Sequence, residues 1–136
     1  MTAGTDAYLS STLELAPLDT AIGCFRLHAV AVLKEWRLPR DLVADAEMLV
    51  CEMMTNAADA SACMPERPPI TLRLIATGKT LVIEAWDQSP LELEPREAGM
   101  YDECGRGLTV IAALSARWGC DRTGYRRKRV WAELAL

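Results

Sequence analysis

Apolar residues recur along this chain with two different periods, and the places where the period changes mark out its elements. LSSTLEL, Leu9 to Leu15, alternates loosely and is closed by Pro17, which predicts a short strand at a sheet edge. From Leu18 to Trp36 the period lengthens. Ile22, Phe25, Ala29, Val30 and Val32 or Leu33 recur at three-to-four spacing, on one face of a helix that stops at Leu38-Pro39. Asp41 is then placed to cap a second helix with Leu42, Ala46, Leu49, Val50, Met53 and Ala57 inward. That helix runs to about Ala62, before MPERPP, whose prolines cannot continue it. Two alternating runs follow, ITLRLIA and TLVIEAWD, separated only by Thr77-Gly78-Lys79, which predicts a hairpin.

Prolines, acids and a glycine break any period in SPLELEPREAGMYDEC, so this stretch predicts a loop with room for one helical turn. GRGLTVIAALSARWG predicts a compact helix with Leu108, Ile111, Ala112 and Leu114 inward, and CDRTGYRRKRVWAELAL a closing hairpin of two strands. There are no internal repeats. The order of elements implies an α+β fold, a two-layer sandwich with helices on one face of a mostly antiparallel sheet. A chain of 136 residues with 51% hydrophobic residues supports one core, so a single domain is expected over 1–136, with about 1–8 disordered.

Charge and cysteine usage narrow the function classes. Net charge is −4, without the global basic footprint of a phosphate-backbone binder, so direct nucleic-acid binding is disfavoured. No apolar run approaches a membrane span and the N-terminus lacks the pattern of a secretion signal, which predicts a cytoplasmic protein. Five cysteines without a CxxC pair, and a single histidine, give no zinc-ligand pattern; reduced, structural thiols are expected. His28, with no partner motif nearby, reads as a partly buried helix residue.

The second helix carries the candidate chemistry. In EMMTNAADAS, Glu52 and Asn56 are four residues apart and Asp59 is seven from Glu52, so all three share a stripe beside the inward Met53 and Ala57. A polar stripe on an amphipathic helix is by itself a solvent face. This one, however, sets an amide and two acids among methionine, threonine and alanine, residues small enough to admit a ligand. An amide oxygen suits Mg²⁺, and a carboxylate can orient or deprotonate a hydroxyl. Asp59 could close the pocket or meet solvent at the helix end.

EMMTNA resembles the N box of the GHKL ATPases, the superfamily of gyrase, histidine kinases and the mismatch-repair ATPase. The resemblance continues in order: VIEAWDQSP resembles the adenine box, CGRGLTVIAAL the phosphate-side box and KRVWAELAL the final strand. Within the superfamily the chain looks most like the small bacterial anti-sigma-factor serine/threonine kinases. The resemblance implies the Bergerat-type ATP-binding fold, with ATP and Mg²⁺ as cofactors and Asn56 as the metal ligand. It implies Glu52 as the catalytic base, Asp87 as the adenine acceptor, and Gly105, Arg106, Gly107 and Leu108 on the phosphate side. The segment from Ser89 to Cys104 would be the ATP lid, an anti-anti-sigma-like protein the substrate, a sigma factor a second client, and a homodimer the assembly.

Three departures from the pattern stand out. Ser89 and Pro90 occupy the stretch where a glycine usually follows the aspartate, and the phosphate box holds only GRG. In the final strand Arg129 is expected where the family places a small hydroxyl residue beside Asp87. The RRKR run containing it reads as a solvated hairpin. The competing reading is a nucleotide-sensing, anti-sigma-like binding module without kinase activity.

Overall fold

The alternation of LSSTLEL forms the edge strand it predicts, β1 (Leu9–Leu15), in a computed structural model that describes residues 8–90 and 108–136. There follow α1 (Ala21–Glu35), α2 (Arg40–Ala62), β2 (Ile70–Ala76), β3 (Thr80–Asp87), α3 (Leu108–Leu114), β4 (Arg117–Gly124) and β5 (Arg127–Ala135). The five strands form one sheet in the order β1-β2-β3-β5-β4, with every neighbouring pair antiparallel. β5 therefore inserts between β3 and β4, with the end of the chain against the start of β3 and the start of β5 against Asp87.

One face of the sheet carries the helices. α2 packs on β2, β3 and β5, and α1 packs on α2 and β1. The period of two in the strands and of 3.6 in the helices meet in a single core: Leu72, Leu74, Leu81 and Ile83 from the sheet, Phe25, Leu33, Leu49, Met53 and Met54 from the helices. Each of these large side chains is at most 1% exposed, and burying one contributes about 1.5–3 kcal/mol. Leu33 rather than Val32 takes the inward place on α1, and Val43, 6% exposed, reaches deeper than Leu42 on α2.

The helix ends differ from expectation in one respect. α2 is preceded by Pro39 at φ −58°, ψ 146°, without a side-chain cap, and Asp41 lies in the first turn. The proline's fixed φ starts the helix two residues early, at Arg40, so Asp41 acts on the helix dipole rather than as the cap. α1 ends in a Schellman turn: Arg37 donates to the Lys34 carbonyl at 2.9 Å and Leu38 to the Leu33 carbonyl at 3.2 Å. Arg37 occupies the left-handed position of this turn with φ 62°, where a side chain is strained. Arg37→Gly is expected to raise stability by about 1 kcal/mol, read as a higher urea midpoint at unchanged slope. A lower midpoint would show that the arginine side chain outweighs the backbone strain.

α3 is shorter than its sequence pattern predicts. The Ser115 amide and hydroxyl both fold back onto the Ile111 carbonyl, and the Ala116 amide already donates to the Glu133 carbonyl at 2.8 Å. SARWG therefore leaves the helix for β4, and of the predicted inward residues Ile111 is buried, Leu114 half-buried and Ala112 exposed. In β4, Gly119 lies opposite Trp131, whose indole covers it so closely that a Cβ would sit 2.8 Å from the ring. His28 is half-buried as expected; its Nε2 lies 2.9 Å from the Ser11 hydroxyl, which ties α1 to β1. Cys24, Cys51 and Cys63 are free thiols, but Cys120 is disulfide-bonded, so the expectation of reduced cysteines fails at this residue. Spacing along the chain carries no information on which thiols the fold brings together. Among the described residues no helix is long and apolar enough to cross a membrane.

Candidate nucleotide site

The polar stripe of α2 is no ordinary solvent face. Met53 and Ala57 are buried on the core side, Glu52 and Asn56 are half-buried beside them, and only Asp59 is exposed. Asn56, Asp59 and Ala60 form one wall of a cavity of about 790 Å³, a volume that suits a nucleotide-sized ligand. The turn following α2, with Cys63, Met64 and Glu66, makes a second wall, and Ser89, Pro90, Arg126 and Lys128 make the third. Asp59 thus does both things open to it: it meets solvent and borders the pocket. Glu52 lies one helical turn before Asn56, outside the residues lining the cavity, and makes no ion pair among the described residues.

Asp87 ends β3 and is 4% exposed. Its Oδ1 accepts the Ser89 amide at 2.8 Å, which bends the chain out of the strand in an Asx turn. Its Oδ2 lies 3.6 Å from the ammonium of Lys128, itself 5% exposed. The residue expected beside Asp87 was Arg129, and this is corrected by one position. Register pairs Asp87 with Lys128 and Trp86 with Arg129. A shift of one residue in a strand moves a side chain to the other face. Lys128 therefore shares the helix-covered face with Val130, Ala132 and Leu134.

Arg129 instead lies on the sheet face away from the helices. It donates to Glu84 at 2.8 Å and, with two nitrogens, to Asp121 at 2.9 and 3.2 Å. The hydrogen bonds it donates to Asp121 raise its affinity for the proton above that of a free guanidinium; burial opposes this and Glu84 adds to it. The Trp86 indole also donates to Glu84 at 3.0 Å, so this carboxylate, 4% exposed, is buried but fully engaged.

RRKR is consequently not a solvated hairpin. Arg126 reaches Glu66 at 2.6 Å across the cavity wall, Arg127 stacks 4.5 Å from the Trp86 ring centre, Lys128 meets Asp87 and Arg129 meets Glu84. The Glu66 carboxyl is held below the usual carboxylate range by its own backbone amide and then by Arg126. Of these roles, Lys128 alone had a signal in the sequence. Counting back by twos from Leu134, Ala132 and Val130 puts it on the inward face, but only the register opposite β3 names Asp87 as its partner.

The Ser89 hydroxyl is buried at the cavity wall with no hydrogen-bond partner among the described residues. Leaving such a group unpaired costs about 1–3 kcal/mol, which a polar ligand in the cavity would offset. The Ser89 carbonyl, by contrast, accepts a hydrogen bond from Arg122 at 2.9 Å. Burial, the largest influence on the Cys51 thiol, pushes it up, away from a reactive thiolate. Gly105, Arg106 and Gly107 lie outside the described residues, as does most of the expected lid; Leu108 is the first residue of α3. Asn56 lines the 790 Å³ cavity, whereas Asp87 touches two of its lining residues, Ser89 and Lys128, and itself lines a second cavity of about 470 Å³ with Trp86, Gln88, Arg126 and Arg127.

The family model of the histidine kinase-like ATPase domain matches residues 15–133, nearly the whole chain. An uncharacterised protein of Streptomyces coelicolor is 35% identical over 79 residues, which cover 56% of this chain and 72% of that protein.

Proposed function

The chain belongs to the histidine kinase-like ATPase domain family and is an ATP-binding regulatory protein of the GHKL type; from this premise we propose that it is a serine/threonine protein kinase of the anti-sigma-factor type. The observation that carries the kinase reading is Glu52. Its carboxylate is half-buried, has no ion-pair partner among the described residues, and stands one turn from Asn56. A module that only held a nucleotide would have no chemical use for it.

The cavity volume and the unpartnered Ser89 hydroxyl fit a polar nucleotide, and the Asn56 side-chain oxygen is the group that would hold Mg²⁺. The metal, when bound, neutralises phosphate charge. Glu52 takes the proton of a serine hydroxyl as its oxygen bonds to the γ-phosphorus of ATP and ADP leaves. The rest of the chain positions the reactants: α2 is anchored by Met53, Met54 and Ala57, so Glu52 and Asn56 keep a fixed separation. The protein partner in this reading is a small anti-anti-sigma-like protein, with a sigma factor as second client, a homodimer as the assembly and the cytoplasm as the compartment.

The second reading is a nucleotide-sensing module that grips a partner without phosphorylating it. The Lys128 ammonium standing on Asp87 favours it, because the adenine acceptor is already engaged. Calorimetric titration with Mg-ATP addresses what both readings share. Asn56→Ala should weaken binding by about tenfold or more by removing a metal ligand. Absence of binding by the wild type would sink both. Incubation with radiolabelled ATP and a serine-bearing partner then separates them: label on the partner supports the kinase, and binding without transfer supports the module.

A further inference from the structure

The cavity of about 470 Å³ opens on the sheet face away from the helices and has no part in the nucleotide reading. Thr12 and Glu14 of β1, Thr71 and Arg73 of β2 and Trp86 of β3 line it. The register sets Thr12 opposite Arg73, Glu14 opposite Thr71 and Thr71 opposite Trp86, and residues directly opposite one another share a face. Arg127, two residues before Arg129 on β5, lies on that face too and lines the cavity beside Trp86. Arg126 is the one lining residue that this cavity shares with that of 790 Å³.

Most charges around the cavity are already matched. Arg126 meets Glu66, Asp87 meets Lys128, and Arg129 is divided between Glu84 and Asp121. Two guanidiniums are different. Arg127 lies 4.5 Å from the Trp86 ring centre and has no ion pair or hydrogen bond among the described residues. Stacking on the indole fixes the plane of its fork and leaves the N–H edge open. Arg73 reaches Glu84 only at 3.8 Å, and both oxygens of that carboxylate are engaged, one by the Trp86 indole at 3.0 Å and the other by Arg129 at 2.8 Å. The cavity thus holds two guanidiniums with unused donors, and the hydroxyls of Thr12 and Thr71 stand among its lining. Glu14, on β1, is the one carboxylate of the lining without an ion pair among the described residues.

A phosphate monoester carries about −1.5 to −2 charge near pH 7 and three strongly accepting oxygens. It can receive two guanidinium forks at once, whereas a carboxylate has one charge and two oxygens to offer them. Glu14 repels such a group from the β1 side and directs it toward Arg127.

We propose that this open-face cavity binds a phosphate monoester, held by Arg73 and Arg127 with the Thr12 and Thr71 hydroxyls as further donors. The site goes beyond the nucleotide reading and does not depend on it.

The test is calorimetric titration at low salt with three probes: a short peptide bearing one phosphoserine, the same peptide with glutamate at that position, and inorganic phosphate. Each is run with and without saturating Mg-ATP. The phosphopeptide is expected to bind about tenfold or more tightly than the glutamate peptide, and Mg-ATP should leave this unchanged. Arg127→Gln, which breaks no ion pair of the fold, should weaken phosphopeptide binding by about tenfold, the value of one hydrogen bond between charged groups. Glu14→Gln should tighten it by about twofold, as removal of one exposed like charge. Arg73→Gln supplies a second variant should Arg127→Gln not fold. Inorganic phosphate binding as tightly as the phosphopeptide assigns the site to free phosphate or small phosphorylated molecules; weaker binding assigns it to a phosphorylated side chain of a protein. Absence of binding by both phosphate probes overturns the inference, as does equal binding of the glutamate peptide or an affinity that neither arginine variant changes. Loss of phosphopeptide binding under saturating Mg-ATP also overturns it, by placing the phosphate in the 790 Å³ cavity. None of these outcomes bears on whether Mg-ATP itself binds.

Discussion

Glu52→Gln should slow phosphoryl transfer to a partner serine by about 10²–10⁴-fold, the usual contribution of a positioned general base. The substitution keeps the shape and hydrogen-bonding reach of the side chain and removes only its capacity to take a proton. Because Glu52 lies outside the cavity lining and pairs with no cation among the described residues, its neutralisation strands no buried charge. Mg-ATP affinity should therefore stay within about twofold of the wild type, so that the loss falls on turnover and not on binding. Single-turnover transfer from radiolabelled ATP, with affinity measured in parallel, separates the two quantities. Transfer that persists at the wild-type rate refutes the role of Glu52 as base. An equal fall in affinity and rate would instead place Glu52 among the groups that hold the nucleotide.

Asp87→Ala is expected to cost about 3–5 kcal/mol of stability, because it leaves the Lys128 ammonium buried without its counter-ion. The side chains of the pair are 2% and 7% exposed, so solvent screens the interaction little. The same substitution also removes the acceptor of the Ser89 amide and loosens the exit of the chain from β3. Combining Asp87→Ala with Lys128→Met should recover most of the loss, since the second change removes the stranded charge and leaves an apolar chain of similar length. Urea unfolding of the four proteins in the cycle gives the coupling directly. A cost below about 1 kcal/mol for Asp87→Ala would mean that water reaches Lys128 and that the pair is not the buried element described above. Recovery by the double variant would distinguish the charge effect from the loss of the Asx turn, which Lys128→Met cannot repair.

These two residues also show how differently the parts of the site could be read in advance. Glu52 and Asn56 were legible because both lie on one helix, where a separation of four residues fixes a shared face whatever the rest of the fold does. Their burial followed from neighbours on the same helix, Met53 and Ala57, whose apolar period was plain. Asp87 was legible as the end of an alternating strand. Its partner was not. The choice between Lys128 and Arg129 depends on the register of β5 against β3, two strands with a helix and another strand between them along the chain. An error of one residue in that register sends the wrong cation into the pocket and misreads RRKR as a solvated run.

By itself, then, the sequence determined what local periodicity and chain order control: the limits of β1, β2 and β3, the inward faces of α1 and α2, the layered α+β architecture, and the helical pair Glu52 and Asn56. Each depends on contacts a few residues apart or on the burial of a face that the pattern already displays. The tertiary structure alone decided the features that need two distant segments to meet. It paired Lys128 with Asp87, buried the Ser89 hydroxyl without a partner among the described residues, sent Arg129 to Glu84 and ended α3 at Leu114 by handing Ala116 to β5. Strand register and the partners of buried charges are set by packing across the sheet, and no local stretch of sequence encodes them separately from the rest.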